Sequence, residues 1–223
     1  MKSQLILALG CAVSFAGLGS SDASIIAKWT FETSVPNTAG PHAPEMGNGA
    51  ASGFHAGAAT TTYSNPAGNG SGESFSANNW SVGDYWQFAV STISYAGITL
   101  SWDQYSSSTG PTSFQLAYST DGSSFTDFGS AYAVSANSWT SYNNIDLSAI
   151  TGLDNQATAY IRLINKSSVA GTGTDRIDNF TVSGAAASVA VPEPSTYLAG
   201  ALLLLPLLGI NAIHVLRNRR HIA

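Results

Sequence analysis

Few residues of this chain have the type and spacing that chemistry needs. Between Ser24 and Val191 the histidines are His42 and His55, both in a loose Gly/Ala/Asn-rich stretch. Neither has a motif partner. H-E-x-x-H, G-x-S-x-G and a Gly-rich loop ending in Lys-Ser or Lys-Thr are all missing, so metalloprotease, serine-hydrolase and P-loop chemistry leave no signature. Both histidines read as solvated loop residues. A glycosidase needs two carboxylates about 5–10 Å apart, one with a raised pKa. The acids here mostly stand in turn-like settings (Asp121, Asp127, Asp154), where Asp serves local hydrogen bonding. Asp178 is the most informative acid. In Ile177-Asp178-Asn179-Phe180-Thr181-Val182 it alternates with Phe180 and Val182, so it is expected to point inward. A buried carboxylate must be hydrogen-bonded, paired or metal-bound, and Arg176 on the same face offers the pair. Tyr85, Tyr105 and Tyr142 are candidates for stacking on sugar rings. Trp102 stands on the apolar side of its strand and reads as core. No residue is assigned a catalytic role.

The elements that position these residues read as strands. The 168 residues from Ser24 to Val191 are rich in Ser, Thr, Gly, Asn and aromatics, the make-up of short strands and polar turns. Alternation marks strands around Trp29/Phe31, Trp86/Phe88/Val90, Ile98/Leu100/Trp102 and Phe114/Leu116/Tyr118. More are expected at Ser138–Leu147, Thr158–Ile164, Ile177–Ser183 and around Ala58–Tyr63. Asp121-Gly122 signals a hairpin turn. The expected fold is all-β, a two-sheet jelly-roll-like sandwich over residues 24–184. Lys28, Arg162, Lys166 and Arg176 face eleven acids, a net of −7, which does not attract nucleic acid or anionic lipid.

The ends carry targeting patterns. Lys2, an apolar run from Leu5 to Leu18 and Ser21-Asp22-Ala23 form a secretory signal peptide, residues 1–23, cleaved after Ala23. Gly10-Cys11 would suit a lipoprotein junction less well, because Ala8 stands where such signals carry Leu. Cys11 is the one cysteine, so the mature chain has no disulfide or thiolate chemistry. Residues 197–216 are apolar and uncharged, long enough at about 1.5 Å per residue to span a bilayer. Arg217, Arg219 and Arg220 follow, in a basic tail of residues 217–223 that stays cytoplasmic. Residues 185–196 form a stalk.

That stalk contains Val191-Pro192-Glu193-Pro194-Ser195. With the following apolar span and the Arg cluster, residues 191–222 resemble the PEP-CTERM sorting domain. The resemblance implies recognition by an exosortase-type enzyme, with Val191, Pro192, Glu193, Pro194, Arg217, Arg219 and Arg220 as the sorting signal. It also implies signal peptidase as a partner, an inner-membrane anchored intermediate, and release to the cell surface or an exopolysaccharide-containing matrix. Gly83-Asp84-Tyr85-Trp86-Gln87-Phe88, Tyr118 to Gly122 and Gly173 to Phe180 resemble exported β-sandwich domains of the choice-of-anchor kind, a likeness that speaks to fold. Carbohydrate-binding jelly rolls often hold a structural Ca²⁺ with acids of the first and last strands, and Glu32 and Asp178 occupy comparable places. Asp178 thus stays open between a hydrogen-bonded or paired carboxylate and a calcium ligand. No other cofactor is expected. The implied function is a non-enzymatic envelope or matrix interaction module. The alternative is a secreted carbohydrate-active enzyme or lectin on the same fold.

Overall fold

A computed structural model of the chain describes residues 22–57, 60–169 and 172–187. The signal peptide, the Pro-Glu-Pro motif, the apolar span and the Arg tail lie outside the described residues. No helix among the described residues is long and apolar enough to cross a membrane. The strands are β1 (Ser24–Trp29), β2 (Met46–Gly47), β3 (Gly49–Phe54), β4 (Tyr63–Ser64), β5 (Phe75–Ala77), β6 (Tyr85–Val90), β7 (Tyr95–Ser106), β8 (Ser113–Ser119), β9 (Thr126–Ala133), β10 (Trp139–Asp146), β11 (Ala159–Asn165) and β12 (Asp175–Ala186).

They form an all-β sandwich of two sheets. One runs β10-β7-β12-β1-β2, with β5 on β12 and β4 on β5; the other runs β3-β6-β11-β8-β9. Alternation makes this arrangement possible. Trp86, Phe88 and Val90 of β6 are buried while Tyr85, Gln87 and Ala89 look outward; Ile161 and Leu163 of β11 do the same between Tyr160, Arg162 and Ile164. Between the sheets Phe88 stacks on Phe180 with ring centroids 3.5 Å apart, and Trp29 meets both edge-on at 5.3 and 6.0 Å. Each such ring removes roughly 150–250 Å² from water, an upper-bound gain of about 4–6 kcal/mol.

β1 pairs with β12, Ser24 opposite Gly184, so the described chain enters and leaves at the same end of the sandwich. β12 runs to Ala186, two residues past the 184 boundary expected from composition. β1 stops at Trp29. Phe31 is buried in the core from a left-handed backbone position (φ 60°), which ends the strand. Asp127 lies in β9 rather than in a turn. The Asp121-Gly122 turn does join β8 to β9 as a hairpin. Asp121 Oδ1 accepts Ser123 N, Ser124 N and Ser119 Oγ, which hold its pKa down to about 2.

Candidate functional site: the outer face of the five-stranded sheet

The three candidate tyrosines lie on three different surfaces. Tyr142 pairs with Trp102 and points between the sheets, its ring stacked on Trp102 at 4.8 Å and its hydroxyl donating to Ala133 O. Tyr105 is on the outer face of the β7 sheet, 5.6 Å from Trp139, with the Arg176 guanidinium over its ring at 4.7 Å. Tyr85 is on the outer face of the five-stranded sheet. They cannot form one sugar-binding strip.

Tyr85 belongs instead to a ladder of planar groups crossing its sheet. Phe54 of edge strand β3 pairs with Tyr85 and stacks on it at 4.8 Å and 16°. On the far side of Tyr85 the Arg162 guanidinium lies 3.8 Å from the ring centroid. Phe125, from the hairpin turn, covers the same guanidinium at 3.5 Å. The turn reaches this face because Gly122 adopts φ +72° over Tyr160, where a Cβ would stand 3.0 Å from that ring. Arg162 Nε donates to Gln87 Oε1 at 2.8 Å, directly across the β6–β11 pairing. Desolvation lowers the guanidinium pKa from its ordinary value, and Tyr85 opposes that shift; such a group stays charged. Both faces of Tyr85 are occupied, so it is a strut of the ladder rather than a free stacking surface. Phe54, 47% exposed, supplies the open aromatic surface. Phe54, Gln87, Phe125 and Arg162 were not singled out from the sequence. The one signal was a cation in mid-strand, between Ile161 and Leu163, in a domain with few cations.

A second concavity opens between edge strands β9 and β10. It encloses about 160 Å³ and is lined mainly by Trp102, Leu116, Phe128, Tyr132, Tyr142 and Ile145. Behind it lies a buried polar network. Gln104 Nε2 donates to both Asp175 oxygens at 3.1 Å, Trp86 Nε1 donates to Asp175 Oδ1 at 2.6 Å, and Tyr132 Oη donates to Gln104 Oε1 at 2.9 Å. Burial drives the Asp175 pKa well above the carboxylate range, against the pull of the Trp86 and Gln104 donors. The inward-pointing carboxylate of β12 is therefore Asp175.

Asp178 faces the other way. A bulge between Asp178 and Thr181, with Asn179 at φ 53°, sets Asp178 beside outward-facing Asp103 rather than in line with Phe180. It is buried under the loop preceding β5. Asn69 N and Ser71 Oγ donate to Oδ2, and Asn179 N donates to Oδ1. Asn179 Nδ2 bridges Asp178 and Asp103 at 3.2 and 2.9 Å. Burial raises the Asp178 pKa against those donors, and the Asp103 charge adds to the rise. Glu32 grips the same loop by accepting Glu73 N at 2.8 Å. This set does not fit Ca²⁺, which needs oxygen ligands, because hydrogen-bond donors converge on the carboxylate. Among the described residues no group of three or more His, Cys, Asp or Glu could hold a metal ion. Arg176 is not the partner of Asp178 either: it lies over Tyr105, and its buried Nε has no hydrogen-bond partner.

The histidines are packed, not solvated. His42 is buried edge-on against Phe75 at 4.9 Å. His55 lies against Trp80 at 4.4 Å, Nδ1 meets Tyr63 Oη at 3.0 Å, and the buried Nε2 has no partner. Burial lowers the His55 pKa, opposed by the nearby Asp84 charge; burial and Asp84 together push Tyr63 up to about 12. A base with a depressed folded pKa loses its stabilising contribution as pH falls, because the unfolded chain takes up the proton first. The melting temperature of a His55→Gln variant should therefore fall less than that of the native chain between about pH 6.5 and pH 5. Parallel curves would refute the assignment.

No protein-family model matches the chain, and no curated protein matches it. Solved structures of low identity do. Carbohydrate-binding modules of the β-sandwich superfamily align at 16% identity and TM-score 0.47 over 70% of this chain; the chain spans about three fifths (61%) of that one. The CBM22-1 xylan-binding domain of Paenibacillus barcinonensis Xyn10C aligns at 9% identity and TM-score 0.48, over 77% of this chain and 100% of its own. The K3 cleaved adhesin domain of Lys-gingipain from Porphyromonas gingivalis aligns at 12% and 0.49, over 72% and 98%. The ligand of this chain must be read from its own geometry.

Proposed function

We propose that the chain is an exported, exosortase-sorted cell-envelope or matrix protein, and that its jelly-roll-like sandwich is a non-catalytic module. The module holds polysaccharide on the outer face of the five-stranded sheet. The observation that carries this reading is the ladder Phe54–Tyr85–Arg162–Phe125, a stack of planar groups on the outer face of the sheet with one open aromatic end and polar groups held beside it. Aromatic surface plus a few fixed hydrogen-bonding groups is what saccharide recognition uses. The strand order β1-β12-β7-β10 against β6-β11-β8-β9 supports the jelly-roll reading. Against the enzymatic alternative, the buried acids Asp84, Asp175 and Asp178 are each committed to donors that hold the chain together.

The full chain, purified in mild detergent, should be retarded in gels containing soluble polysaccharide. Phe54→Ala should weaken that binding about tenfold, the loss expected for one stacking contact. Release of reducing ends on long incubation would instead make it an enzyme, and no retardation by any polysaccharide would overturn the binding reading. Replacing Pro192, Glu193 and Pro194 with Ala should trap the chain in the inner membrane. Normal surface release of that variant would overturn the sorting reading.

A further inference from the structure

The ladder contains a cation with no counter-charge. Tyr85 and Phe125 cover both faces of the Arg162 guanidinium, and its Nε is spent on a neutral amide, Gln87 Oε1. No hydrogen bond or ion pair among the described residues engages Nη1 or Nη2. The nearest acid along the pairing row Gln87–Arg162–Ala117–Asp127 is Asp127, beyond Ala117 on the next strand but one, and no ion pair joins it to Arg162. The other ladder members, Phe54, Tyr85 and Phe125, bring no carboxylate.

A guanidinium held this way has already lost most of its rotamer freedom, so little ordering cost remains to be met on binding. With Nε engaged, it can still offer its end-on pair, one N–H from each Nη, to two oxygens in a plane. That fork matches a carboxylate. The domain's net charge of −7 repels polyanions at long range, so such a contact must be local and geometrically specific rather than a general basic patch.

From this geometry we infer that the face selects saccharides bearing a carboxylate, that is, uronate-containing polysaccharide, with Arg162 gripping the carboxylate while Phe54 packs on a neighbouring ring. This rests on the polysaccharide reading above and narrows it.

The test compares gel retardation of the full chain by polygalacturonate, by the same polymer with its carboxyls methyl-esterified, and by neutral dextran and hydroxyethylcellulose. Retardation by polygalacturonate is expected to exceed that by the ester by about tenfold to a hundredfold, and to weaken between about 50 mM and 500 mM salt. Arg162→Gln should abolish that preference and Arg162→Lys should not restore it, because an ammonium lacks the planar fork. The esterification control needs no variant, so a misfolded Arg162→Gln protein cannot decide the result. Equal binding to the acid, ester and neutral polymers, still lost on Phe54→Ala, would overturn the inference and leave the polysaccharide reading intact. Binding to none of them would overturn both.

Discussion

Gln104→Ala is expected to cost about 3–5 kcal/mol of folding stability, with a larger deficit at pH 7.5 than at pH 5. Gln104 is fully buried and joins three side chains: its amide donates to both oxygens of Asp175, and its carbonyl accepts Tyr132 Oη at 2.9 Å and Trp102 Nε1 at 3.3 Å. Truncation leaves Trp86 Nε1 as the remaining donor to Asp175 among these, and strands two others. Each stranded buried group costs about 1–3 kcal/mol, and a charged one more. The pH dependence follows from the raised Asp175 pKa. The folded carboxylate holds its proton more tightly than the unfolded one, so its contribution is fully present below about pH 3.9 and is lost as pH rises through the folded pKa. Removing Gln104 takes away a donor that favours the anion and so extends the loss further toward neutral pH. Urea unfolding at the two pH values measures this. A deficit below about 1 kcal/mol would mean that Gln104 does not hold the network together, and one equal at both values that it does not favour the Asp175 anion.

The strands that were legible in the sequence are those with one face in the core and one in water. β6, β7 and β8 fall where alternation put them, and β10, β11 and β12 fall on the further stretches expected at 138–147, 158–164 and 177–183. β3 was not, because Gly49-Ala50-Ala51-Ser52-Gly53-Phe54 has almost no large side chain to alternate. Edge strand β9 is exposed at most positions, and its inward face carries only Phe128 and Tyr132 with Ser130 between them. A bulge erases the period-two rule locally, which is why Asp178 was placed on the wrong face and Asp175 passed over. The ladder was illegible for another reason. Its members come from β3, β6, β11 and a turn, brought together by sheet order, which local spacing does not encode. Histidines in a Gly-rich loop looked solvated, yet that loop folds back over Phe75, Trp80 and Trp86.

Asp178→Ala should lower stability by about 3 kcal/mol, by an amount independent of calcium. The carboxylate closes the loop before β5 onto β12 through Asn69 N and Ser71 Oγ, and it satisfies Asn179 N at the bulge. Hydrogen bonds to a charged acceptor are worth about 1.5–3 kcal/mol each, but they share one carboxylate and will not add fully. Two things offset part of the loss. Burial and the Asp103 charge already disfavour the ionised form, and Asn179 Nδ2 can turn wholly to Asp103 once Asp178 is gone. Asp178→Asn should fall between the two, since it keeps one acceptor but sets an amide N–H₂ against backbone donors. Arg176 should not contribute, because it packs on Tyr105. Melting of the native chain and both variants, with chelator and with excess calcium, decides between the two readings of this acid. A hydrogen-bonded clamp gives three melting temperatures that calcium does not move. A native chain stabilised by calcium, with that gain lost in Asp178→Ala, would show instead that the donors rearrange to admit a cation.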